Sequence, residues 1–76
     1  MRIDLFLKET RIIKRRTIAK EYCDRGLVVV NDKVVKPSYE VKNGDKIDIK
    51  LGSKVLLIVA SIEPGNKKEK VGYEPR

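Results

Sequence analysis

The sequence predicts an α+β fold: two short N-terminal helices packed on one face of a small antiparallel sheet of about four strands. Three observations predict it. The chain has 76 residues, a length that suits one small domain. Apolar residues in the first third recur at three- and four-residue spacing, the period of a helix with one buried face. Between residues 27 and 62 they change to β-branched runs and to strict alternation, bounded by Asn, Asp, Gly and Pro. Helices followed by strands indicate a layered α+β domain.

Asp4 is a candidate N-cap ahead of Leu5, Phe6 and Leu7 and opens a first helix over 4–10. A second helix is expected over 15–25, with Thr17 as a possible N-cap. Its Ile18, Ala19, Tyr22 and Cys23 form one stripe, and Lys20, Glu21, Asp24 and Arg25 lie off it. Phe6, Leu7 and Ile18 are expected to pack against the strands that follow. Gly26 stands where a helix end favours a left-handed residue.

Leu27–Val30 is β-branched and strand-like. Asn31-Asp32 is the turn, since both residue types tolerate positive φ. Val34-Val35 returns as the partner strand and Pro37 ends it. After Asn43-Gly44-Asp45, the residues Ile47, Ile49 and Leu51 alternate with Lys46, Asp48 and Lys50, as in a strand with one wet face. Gly52-Ser53 leads into Val55–Ile62, whose continuous apolar run predicts cover on both faces. Residues 1–62 are therefore read as the domain. Residues 63–76, rich in Gly, Pro and charge, are read as a basic flexible tail in which Lys67, Lys68 and Lys70 could add RNA affinity.

Composition excludes much chemistry. There is no His and one Cys, so the common zinc sets and the usual general base for a Ser or Cys nucleophile are missing. No catalysis, cofactor or metal is expected. Cys23 reads as an inert core thiol. The longest wholly apolar run, Val55 to Ala60, is far short of the ~20 residues a membrane span needs. Asp4, Lys8 and Glu9 do not suit a signal peptide. A soluble, cytoplasmic, monomeric module is the expectation.

The net charge is +7, and it is uneven. Arg11, Lys14, Arg15, Arg16 and Lys20 fall within ten residues with no acid among them. Solvated helix faces usually mix both signs. Cations at a helix start oppose the macrodipole and cost up to about 1 kcal/mol each. Bound phosphate reverses that sign, because amides and guanidinium forks then converge on one anion. Aromatic content is only 5%, with Tyr39 and Tyr73 the sole candidates for stacking on unpaired bases. Shape and phosphate recognition of structured RNA fits better.

These residues resemble a known family. Met1-Arg2-Ile3-Asp4-Leu5-Phe6-Leu7 is similar to the opening of the RNA-binding domain named after ribosomal protein S-four, whose fold contains the alpha-L RNA-binding motif. Arg11 to Glu21 resembles its helix–turn–helix-like core, Gly26 to Asn31 its first strand, and Gly44-Asp45 its late turn. Leu5 stands where the family usually has Lys, and Asp32 where it has the turn Gly. The stand-alone architecture is most similar to the ribosome-quality-control protein P (RqcP) branch of the heat shock protein fifteen group.

The resemblance implies a non-enzymatic factor that binds rRNA and peptidyl-tRNA on stalled large ribosomal subunits. It also implies support of alanine tailing of the nascent chain by a partner factor. It places Arg2 and Arg16 at family arginine positions and Asp4 at the acidic one, where it orients Arg2 or caps the first helix. Arg2, Arg11, Lys14, Arg15, Arg16 and Lys20 are thus the expected RNA-binding residues. The alternatives are an RNA-binding accessory of a separate RNA-modifying or ribosome-assembly enzyme, and membrane association. The narrow, Trp-free stripe of the second helix opposes the latter.

Overall fold

Apolar residues at positions 3, 6 and 7 put one face of the first helix into the core, and this is where the structure begins. A computed structural model describes residues 1–65 and 69–76. Lys67 and Lys68 of the expected basic tail lie outside the described residues. Helix α1 spans Ile3–Glu9, α2 Arg16–Asp24, and strands β1 to β5 span Val28–Val30, Lys33–Val34, Lys46–Leu51, Lys54–Glu63 and Lys70–Pro75. The strands form one antiparallel sheet in the order β2-β1-β3-β4-β5.

The core lies on the helix-bearing face of the sheet. Ile3, Phe6 and Leu7 are fully buried with Val28, Ile47, Ile49 and Ile58. The register Val28↔Ile49, Val30↔Ile47 and Ile47↔Ile58 puts those strand residues on one face. Burial of each large aliphatic side chain contributes about 1.5–3 kcal/mol.

Gly26 takes φ +73. Its amide bonds the Cys23 carbonyl and the Leu27 amide bonds that of Tyr22, a Schellman ending that stops α2. Asn31 and Asp32 take φ 50 and 69, the mirror-image turn that matches strand twist.

Five expectations need correction. Asp4 is not the N-cap of α1; Arg2 holds that position, without a side-chain cap, and Asp4 lies inside the helix. The first two amides of α1 are satisfied instead by the loop: Ile3 donates to the Tyr39 carbonyl at 2.8 Å and Asp4 to that of Pro37 at 3.3 Å. Likewise Arg15, not Thr17, is the N-cap residue of α2. Ile18 does not pack into the core and is 39% exposed; buried Ile13, in the connection between the helices, fills the core from there.

The apolar run of β4 is covered on one face only. Val55 and Leu57 are exposed, because among the described residues no element crosses the outer face of the sheet. Finally, Lys70–Pro75 does not extend as a flexible tail. It forms β5, pairing Val71 with Ile62 and Tyr73 with Ala60. Edge-strand hydrogen bonds along β4 provide the partner.

A second polar centre fixes the loop end of the sheet. Asp45, nearly buried, accepts from Asn31 Nδ2 at 3.1 Å, Tyr39 Oη at 3.1 Å and the Lys42 amide at 2.9 Å. Burial, then the Asp45 carboxylate, pushes the Tyr39 hydroxyl up from its ordinary value, which keeps it protonated and donating.

Candidate nucleic-acid interface

The sequence pattern Arg2-x-Asp4 places a carboxylate one step inside α1, where the helix turns it inward. Asp4 is 3% exposed. Its Oδ1 accepts the Leu5 amide at 2.7 Å. Its Oδ2 takes Arg2 Nη2 at 3.2 Å, and Oδ1 lies 3.5 Å from Arg16 Nη2. The two guanidinium groups come from different helix starts and meet on one buried anion.

Both arginine side chains remain about half exposed, at 48% and 47%. A guanidinium carries five N–H donors, so each keeps several free for an outside acceptor. The arrangement fixes two half-exposed guanidinium forks on one carboxylate. Asp4 thus contacts Arg2 directly and does not cap α1.

A second group gathers beside it. Lys8, Glu9, Arg11 and Lys14 line a hollow of about 520 Å³ at the C-terminal end of α1. Lys8 and Glu9 approach at 3.8 Å. Arg11 adopts φ 62, the left-handed region that residues with a side chain rarely enter. Arg11, Lys14, Arg15 and Lys20 are all exposed, and among the described residues none has an ion-pair partner. Lys20 lies one turn after Arg16 on the same face of α2. The first turn of α2 contains no acid.

The structure thus ties Arg2 to Arg16 through Asp4, and places Arg11 with Lys14 around the hollow. Among the described residues, no side-chain hydrogen bond or ion pair links Arg15 or Lys20 to either group. The sequence reading missed Lys8. Its signal was a lone cation on the exposed face at the last turn of α1, but the cluster after residue 10 drew the reading away. It also missed Ile18, an apolar side chain exposed within the basic helix.

Cys23 is buried between the helices and the sheet. Burial, with smaller contributions from the Asp4 and Asp24 carboxylates, pushes its thiol up to about 11. It is a packing group and offers no thiolate near neutral pH. No helix among the described residues is long and apolar enough to cross a membrane.

Comparison with known proteins gives the family and the fold. Residues 1–47 match the family model of the S4 domain. A protein of Streptococcus pneumoniae, "RQC P-site tRNA stabilizing factor", is 46% identical over 70 residues, covering 91% of this chain and 80% of its own. Proteins of the same name from Halalkalibacterium halodurans and Bacillus subtilis are 46% and 43% identical. They cover 97% and 91% of this chain, and 80% and 81% of theirs. The trimeric heat shock protein 15 of Vibrio cholerae superposes over 100% of this chain and 81% of its own, with TM-score 0.83 and 23% identity. That likeness concerns the fold.

Proposed function

We propose that this chain, which belongs to the S4 domain family, is a non-enzymatic RNA-binding factor of ribosome quality control. It grips rRNA and peptidyl-tRNA on stalled large ribosomal subunits. In that state a partner factor adds the alanine tail, and the chain supports the reaction by keeping the tRNA in place.

The observation that carries the reading is the shared carboxylate of Asp4. Asp4 balances Arg2 and Arg16, but a protein shaped for stability alone would not add Lys14 and Arg15 at the start of α2, whose first turn contains no acid. The macrodipole makes that site unfavourable until an anion is present. Arg2 and Arg16 supply forks for two phosphates, and Asp4 holds them ready, so little side-chain entropy is lost on binding. Arg11, Lys14, Arg15 and Lys20 extend the field over a longer stretch of backbone, with Lys8 beside them.

If six to eight phosphates are neutralised, affinity falls by about three to four decades between 50 and 200 mM salt. Specificity for a stalled subunit then comes from shape: two RNA surfaces, one ribosomal and one from tRNA, must reach the helix pair together. That the curated relatives are named for stabilising P-site tRNA supports this reading.

The test is a reconstituted tailing reaction on large subunits bearing a stalled peptidyl-tRNA. Adding this chain to subunits and tailing factor should lengthen the alanine tails, and the Arg2→Ala/Arg16→Ala variant should not. Tailing that is indifferent to the chain would remove the quality-control role while leaving RNA binding to be judged by the salt dependence.

A further inference from the structure

Beyond the helix pair, a groove of about 690 Å³ opens at the loop end of the sheet. It lies within the range of small-molecule sites, about 300–1,000 Å³. Val30, Val34, Val35 and Tyr39 provide apolar and aromatic wall, and Lys33 and Lys36 are the charged residues that line it. No acid does.

Two features show that the groove is held in shape. Asp45 bonds both Asn31 and Tyr39, so one buried carboxylate anchors the turn on one side and the aromatic ring on the other. The Tyr39 amide bonds the Lys36 carbonyl at 2.9 Å, which closes the segment carrying Lys36 into a turn.

The groove wall is also tied to the helix start that carries Arg2. The segment that forms its wall bonds directly to the start of α1, through the Tyr39 and Pro37 carbonyls and the Arg2↔Glu40 bridge.

We infer that this groove is a nucleotide subsite: it takes one unpaired base against the Tyr39 ring, with the flanking phosphates on Lys33 and Lys36. The inference rests on the RNA-binding reading and adds to it a preference for a helix interrupted by an unpaired nucleotide. A peptide is the less favoured occupant. Val34 presents a sheet edge, but β2 has only two residues, too few for strand addition. The paired lysines without an acid match a phosphate on each side of a base.

The experiment compares a fully paired RNA hairpin with the same hairpin carrying one unpaired uridine. The native chain should bind the bulged RNA more tightly. Stacking on an aromatic ring predicts a loss of about 5- to 160-fold for Tyr39→Leu on the bulged RNA alone. Tyr39→Phe, which keeps the ring, should retain the preference. Lys33→Ala/Lys36→Ala lies on the surface and should reduce the salt slope for the bulged RNA by about 2. A 5-iodouridine at the bulge should crosslink to Tyr39.

Equal binding of both hairpins by the native chain would overturn the subsite and leave the helix-pair interface standing. So would a Tyr39→Leu variant that folds and keeps the preference. Failure of the native chain to bind either hairpin would overturn the RNA reading itself, and the subsite with it.

Discussion

Replacing Arg11 by Gly should make this protein more stable and a weaker RNA binder. Arg11 follows the C-cap of α1 at φ 62, in the position where helices favour glycine. For a residue with a Cβ, that conformation costs about 1–2 kcal/mol. Glycine removes the cost but loses about 0.5–1 kcal/mol through the greater freedom of the unfolded chain. The net gain lies between 0 and about 1.5 kcal/mol, and its midpoint of about 0.75 kcal/mol corresponds to roughly 3–6 °C in Tm for a domain of this size. The Arg11 amide bond to the Lys8 carbonyl is a backbone contact and survives the change. The lost guanidinium removes one phosphate contact, so the salt slope of RNA binding should fall by about 0.9. The assays are thermal melting and filter binding to structured RNA over a salt series. Arg11→Ala serves as the control: it loses the same charge without relieving the backbone. A glycine variant that melts below the native protein, or that binds with an unchanged salt slope, would refute the reasoning.

Three further outcomes are expected. Arg2→Ala/Arg16→Ala should cost more stability than the two single changes together, because the buried Asp4 carboxylate then keeps only the Leu5 amide; adding Asp4→Asn should recover part of the loss in denaturant titrations, without recovering RNA affinity. Ile13→Ala should cost about 2–5 kcal/mol by opening the core, whereas Ile18→Ala, on the exposed face of α2, should cost under about 1 kcal/mol; equal losses would place Ile18 in the core. Burial pushes the folded Cys23 thiol up to about 11 from its ordinary 9.0, so the folded state holds its proton where the unfolded state has lost it. That contribution to stability is full below pH 9 and lost as pH rises toward 11; Cys23→Ala should flatten this part of the pH–stability profile, and iodoacetamide should label the native thiol far more slowly than the unfolded one.

What could be read from the sequence was what depends on neighbours along the chain. Gly26 ends α2 through two local hydrogen bonds, and Asn31-Asp32 turns the chain by its own tolerance of positive φ. The alternation through Ile47, Ile49 and Leu51 set the face of β3. The basic cluster was visible because charge needs no folding to be counted. What escaped depends on contacts between distant residues. Asp4 resembled a cap because a carboxylate before apolar residues usually is one; its partner Arg16 comes from a second helix, and the loop at Pro37 and Tyr39 takes over the capping. Ile18 fell on the apolar stripe, but periodicity gives the direction of a buried face and not its width. Strand β5 went unread although Val71 and Tyr73 alternate with Gly72 and Glu74, because the surrounding Gly, Pro and Lys outweighed so short a pattern. The groove at Tyr39 could not have been found at all, since Asp45 joins its two sides only in the folded chain.

The most direct measurement of the central claim is co-sedimentation of the full chain with large ribosomal subunits, compared between subunits that carry a stalled peptidyl-tRNA and empty ones. Tighter binding to the tRNA-bearing subunits is expected, and it should weaken in the Arg2→Ala/Arg16→Ala variant. Equal binding to both kinds of subunit would contradict the account.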